Sequence, residues 1–151
     1  MRAGEVIRAA RERAGLTQVD LAKAAGVSQP KLSVYERGAV QPRPETLDRV
    51  LRATRARPSV VLEQRADDVL AAASRRHITG VRVFGSSVHG TDTQESDIDL
   101  LVTFDNDASL FDLSGFAIDA EALLGYPVDV VSDSAPMTPI LARIFAEAVA
   151  L

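Results

Sequence analysis

With 151 residues and no cysteine, the chain has length for one domain or two small ones and lacks both disulfides and thiolate metal sites. Its net charge of −4 hides an uneven split. Residues 1–57 carry twelve Lys+Arg against six Asp+Glu, a balance of +6, while residues 58–151 carry five against fifteen, a balance of −10. A basic first third is the footprint of nucleic-acid binding, and the acidic remainder would repel a polyanion unless cations intervened. No apolar run approaches the ~18 residues of a membrane span, and the N-terminus is charged and amphipathic, unlike a signal peptide. A cytoplasmic protein without a membrane partner is expected.

In chain order, Val6, Ile7, Ala10 and Ala14 recur at helical spacing and predict a first helix ended by Gly15. Thr17 is a good N-cap for a short second helix, residues 18–25, which Gly26 can stop in a left-handed conformation. Ser28 then precedes a third helix, Gln29 to Arg37, closed by Gly38. Val27, Leu32 and Tyr35 are its candidate core, and small Ala22 permits close approach. Two short capped helices across a tight turn form the helix-turn-helix pattern. Beyond Pro42 and Pro44 a fourth helix is expected over Glu45 to Thr54, with Leu47, Val50 and Leu51 inward.

The run from Leu16 through Ala25-Gly26-Val27-Ser28-Gln29 to Tyr35-Glu36-Arg37-Gly38 resembles the Cro/repressor-like helix-turn-helix family, also called the XRE family. That resemblance implies operator DNA as partner, a homodimer on it, and a third helix entering the major groove. By position, Gln29, Pro30, Lys31, Ser33 and Val34 are the outward candidates for base edges. Gln18 and Arg37 match positions that hold phosphate in relatives, which fixes register without reading sequence. For Arg37 an ion pair with Glu36 or a neighbour is an equally good reading.

The Arg55-Ala-Arg-Pro58 segment is the expected boundary between a module of residues 1–57 and one of residues 58–151. Leu62, Ala66, Val69, Leu70 and Ala73 then repeat at helical spacing, which predicts one continuous helix joining the modules. Val81 to Phe84 reads as a strand running into Gly85-Ser86, a turn whose backbone can approach an anion closely. Ser87, Val88 and His89 follow as a short helix. Asp97 and Asp99 alternate with Ile98 and Leu100, so a strand there puts both carboxylates on one face, about 6.6 Å apart. Such a pair needs water or a cation between its members, and Mg²⁺ suits it because it takes few carboxylates and shares substrate phosphates. A helix from Leu110 to Leu124, stopped by Gly125, precedes a strand at residues 126–131. If that strand is a neighbour, about 4.8 Å away, Asp129 completes a triad. Pro139 to Leu151 is expected to be a last helix.

Gly85-Ser86, ten intervening residues, Asp97-x-Asp99 and the later Asp129 resemble a minimal nucleotidyltransferase of the DNA polymerase beta-like superfamily, over roughly residues 60 to 151. The fold expected is therefore an all-α helix-turn-helix domain followed by a small α/β nucleotidyltransferase domain. The resemblance implies a two-metal Mg²⁺ site on Asp97, Asp99 and Asp129, with Gly85, Ser86, Ser87 and His89 toward the triphosphate and ATP as substrate. Relatives carry basic residues after the Gly-Ser, where this chain offers only His89. Minimal nucleotidyltransferases of this kind are commonly antitoxins that adenylylate a partner ribonuclease of the HEPN family, and a repressor-like domain suits self-repression of the operon. Two alternatives stay open: a transcriptional regulator whose nucleotidyltransferase fold only binds nucleotide or partner, and an enzyme that modifies a small molecule.

Overall fold

A computed structural model describes residues 2–151, and these fall into two compact units, one ending at Ala56 and the other Arg57–Leu151. The first is four helices: α1 (Ala3–Arg13), α2 (Gln18–Ala25), α3 (Gln29–Glu36) and α4 (Pro44–Arg52). Thr17 caps α2 as expected, its hydroxyl accepting the Asp20 amide while the Asp20 carboxylate reaches back to Thr17. Gly26 ends the helix at φ 66°. Ser28 precedes α3 without a side-chain cap, and Pro30 supplies the preset φ of a first turn instead. Ile7, Leu21, Leu32, Tyr35 and Val50 are the buried centre. A Cβ at Gly4 would overlap the Tyr35 carbonyl, so glycine is what lets α1 lie against the end of α3. The fourth helix begins at Pro44, one residue earlier than expected, because that proline occupies its first turn.

The second unit opens with α5 (Pro58–Gln64) and α6 (Ala66–Ser74), which corrects the single joining helix expected over this stretch. Arg65, at φ −111° and ψ 14°, breaks the hydrogen-bond ladder between them. Periodicity alone missed the break because Leu62 and Val69 bury into the same core from either side of it. Then follow β1 (Ile78–Phe84), α7 (Ser86–His89), β2 (Ile98–Phe104), α8 (Leu110–Leu124), β3 (Val128–Ser132), α9 (Pro139–Glu147) and β4 (Val149–Ala150). The last helix thus ends at Glu147, short of the expected Leu151. Ala148 turns extended, and two residues pair with the edge of the sheet.

The sheet order is β3-β2-β1-β4, with β1 antiparallel to β2 and β4 and β2 parallel to β3. Alternation along the strands gives it two apolar faces. Val81, Val83, Ile98, Leu100, Val102 and Val128 pack with Val69, Ala72, Phe116, Ala120 and Leu124 of α6 and α8. Phe84, Leu101 and Val131, on the other face, pack with Leu141, Ile144 and Phe145 of α9. Leu100, Leu101 and Val102 are all fully buried because β2 is covered on both sides. Among the described residues, no helix is long and apolar enough to cross a membrane.

Candidate active site and nucleic-acid interface

Asp99 is the second residue of β2, and its side chain shares the α9 face with Leu101. The parallel register places it directly opposite Asp129 on β3, while Phe84, the last residue of β1, is its partner on the other side. Asp97 lies just ahead of β2, two residues back and on the same face. Burial pushes the half-buried Asp99 carboxyl above the usual range, and the charges of Asp129, Asp97 and Glu147 push it further. Every charge acting on it is negative. Asp97, Asp99 and Asp129 offer hard carboxylate oxygens, the donors that a divalent cation such as Mg²⁺ takes, but in this structure those oxygens do not all lie within 4.8 Å of one another.

Gly85 packs against this cluster. It sits at φ 75° and ψ −150°, a region open essentially to glycine, and a Cβ there would overlap the Asp99 carboxylate. Ser86 opens α7, His89 closes it, and both are on the surface or partly so. Ser87 points elsewhere: its buried hydroxyl has no partner among the described residues, and the residue lines a cavity of about 380 Å³ with Leu62, Val83, Val88 and Leu151. None of the three acids lines that cavity.

Two residues that the sequence reading passed over complete the surroundings. Glu147, at the end of α9, accepts the Gly85 amide at 3.2 Å through Oε1 and lies 2.9 Å from His89 Nε2 through Oε2. These contacts, His89 foremost, hold its carboxyl below the usual range. No motif announces it, since it is 48 residues beyond Asp99 in a largely apolar helix. Asp92, fully buried in the loop between α7 and β2, accepts the Ser59 amide at 2.8 Å and the Ser59 hydroxyl at 3.0 Å, with Arg57 Nη1 at 3.9 Å. It fastens the loop that leads to Asp97 onto the first turn of α5. A separate exposed group, His77, Asp105 and Asp107, lies at the opposite end of β1 and β2, about 20 Å along the strands from Asp99. It is not part of the cleft.

In the first unit, Pro30, Lys31 and Arg37 are exposed, while Gln18, Gln29, Ser33 and Val34 are partly so. The Gln29 amide donates to Gln18 Oε1 at 2.9 Å, and the Gln18 amide donates to Glu36 at 2.9 Å. Glu36 is buried and held by Arg11 through two hydrogen bonds of 2.7 and 3.0 Å, with Arg8 at 3.7 Å. Burial alone would raise the Glu36 pKa, but these donors outweigh it and hold the carboxyl below the usual range. Glu36 is therefore not the partner of Arg37, whose guanidinium forms no ion pair among the described residues. The Lys31 ammonium lies 6.0 Å from the centre of the Tyr35 ring. The two glutamines thus form a linked pair tied to a buried ion pair, with the exposed cations Lys31 on α3 and Arg37 just past its end.

Residues 2–64 match the family described as helix-turn-helix domain, and residues 66–148 match the nucleotidyltransferase domain family. A solved structure of a protein assigned as a minimal nucleotidyltransferase is 34% identical, with a TM-score of 0.56, over 62% of this chain and 95% of that one. A crystal structure of a toxin–antitoxin with AMP-PNP is 19% identical, with a TM-score of 0.50, over 56% of this chain and 69% of that one, and shares the fold. No curated protein matches the chain. With more than half its length matching that family, the chain belongs to the nucleotidyltransferase domain family and carries a helix-turn-helix domain ahead of it.

Proposed function

We propose that the second unit transfers a nucleoside monophosphate from ATP to a hydroxyl of a partner protein, and that the first unit represses the chain's own operon. The observation that carries the catalytic reading is the register that sets Asp99 opposite Asp129 beside the Gly85 amide, with Asp97 two residues away. Asp97, Asp99 and Asp129 would hold the Mg²⁺ that this chemistry uses. The bound metal supplies charge neutralisation on the phosphates and lowers the pKa of the acceptor hydroxyl. The hydroxyl gives its proton to solvent water, its oxygen bonds the α-phosphorus, and the bond from that phosphorus to the bridging oxygen breaks to release pyrophosphate.

The partner we propose is a ribonuclease of the HEPN family, with this chain as its antitoxin. A shared fold with a toxin–antitoxin that was crystallised with AMP-PNP is in keeping with that reading, as is a DNA-binding module on the same chain. A unit of 95 residues has no room for a domain that grips a template, which argues against polymerisation. The test is to incubate the protein with α-labelled ATP, Mg²⁺ and a ribonuclease of the HEPN family. Label is expected on the ribonuclease, and Asp97→Ala combined with Asp99→Ala should abolish it. Undiminished labelling by the double variant would refute the catalytic assignment, and ATP binding without transfer would favour a nucleotide-sensing regulator.

A further inference from the structure

Glu147 stands where its chain position forces it. It is the last residue of α9, and after Ala148 the backbone pairs Val149 with Val83 and Ala150 with Arg82. The carboxylate is thereby held against the end of β1, where one oxygen takes the Gly85 amide and the other faces the His89 ring nitrogen. These two groups belong to the set assigned above to the triphosphate. A backbone N–H serves one strong acceptor at a time, and two anions on one donor repel. One turn back on the same helix, Arg143 is exposed, forms no ion pair among the described residues, and lies close enough to Glu147 for its charge to act on that carboxyl. The spacing of four residues puts the two side chains on one helix face.

We propose that Glu147 is a resident counter-anion of the nucleotide cleft: it occupies the Gly85 amide and the His89 ring until a triphosphate displaces it, and Arg143 receives it on release. The proposal rests on the nucleotide-binding reading of the site. It adds a competitor built into the fold, so that an empty cleft has its phosphate donors satisfied and nucleotide affinity is set partly by α9. The opposite role, in which Glu147 orients His89 toward the phosphates, gives the opposite sign when it is removed.

The experiment is a calorimetric titration of the full chain with ATP, in EDTA and again with Mg²⁺, at roughly 0.5 M salt so that charge effects beyond about 4 Å are screened. Glu147→Ala is expected to lower Kd about tenfold relative to the parent, the size of one charge-assisted hydrogen bond no longer contested. Glu147→Gln, which keeps a neutral acceptor on Gly85, should give a smaller gain. Arg143→Ala should weaken ATP in the parent chain and change nothing in the Glu147→Ala background. Unchanged or weaker binding by Glu147→Ala, with ATP bound by the parent, overturns the inference and leaves the nucleotide reading standing. An equal loss from Arg143→Ala in both backgrounds overturns the receiving role of Arg143. Absence of ATP binding in every variant overturns the nucleotide reading itself.

Discussion

Asp99 is placed against its own stability. Its folded-state pKa is raised, first by burial and then by three neighbouring carboxylates, so in a window above the ordinary carboxyl range the native state keeps a proton that the unfolded chain has lost. Stability therefore falls as pH rises through that window, and the cost is complete above it. Asp99→Asn should melt about 2–5 °C above the parent in metal-free buffer at pH 7, with the gap closing toward about pH 4. Saturating Mg²⁺ should stabilise the parent by binding and the variant much less, reversing the order. Thermal melts in EDTA and in Mg²⁺ check both statements. A variant that melts below the parent without metal would contradict the account of Asp99. The same reasoning separates what the sequence could reveal from what it could not. Asp97, Asp99, Asp129 and Gly85 are legible because alternation and a fixed spacing tie each to a strand end. Glu147 and Asp92 are invisible there, because their roles depend on which distant element folds back beside them.

At the level of elements, short-range signals carried well and long-range ones did not. The Thr17 cap, the Gly26 and Gly125 stops and the limits of α8 were readable because each is decided by contacts within a few residues. The Arg65 break and the final strand β4 were not, since core packing and the free edge of β1 decide them. The buried pair linking α1 to α3 was equally hidden, and it has a measurable weight. Arg11→Ala would leave the Glu36 carboxylate buried with only Gln18 and the more distant Arg8, and should destabilise the first unit by about 3 kcal/mol in chemical denaturation. Glu36 has a lowered pKa, so its contribution is complete at neutral pH and is lost as the pH falls through its folded-state value. Glu36→Gln should therefore flatten the acid limb of the stability curve. A loss below about 0.5 kcal/mol for Arg11→Ala would mean that solvent reaches this pair as it reaches a surface one.

For the whole molecule, the two units carry net charges of +5 and −9, which makes the first the one suited to a polyanion. DNA binding should follow the first alone. Arg37→Ala is expected to weaken all sequences alike and to reduce the slope of log K against log salt by about one phosphate contact, whereas Gln29→Ala should relax preference for one sequence. Asp99→Asn should leave operator affinity unchanged. Filter binding across a salt series distinguishes these, and a steep loss of operator affinity with Asp99→Asn would show that the units do not act separately. The Asp92 contact sets a limit on that separability. Because the loop leading to Asp97 is fastened to Arg57 and Ser59, the catalytic unit begins at the very residues that a domain boundary would otherwise leave expendable. Recombination that exchanged one DNA-reading module for another would keep an intact transferase only if the crossover fell before Arg57. A few residues further on, the incoming sequence would have to supply its own clasp for Asp92.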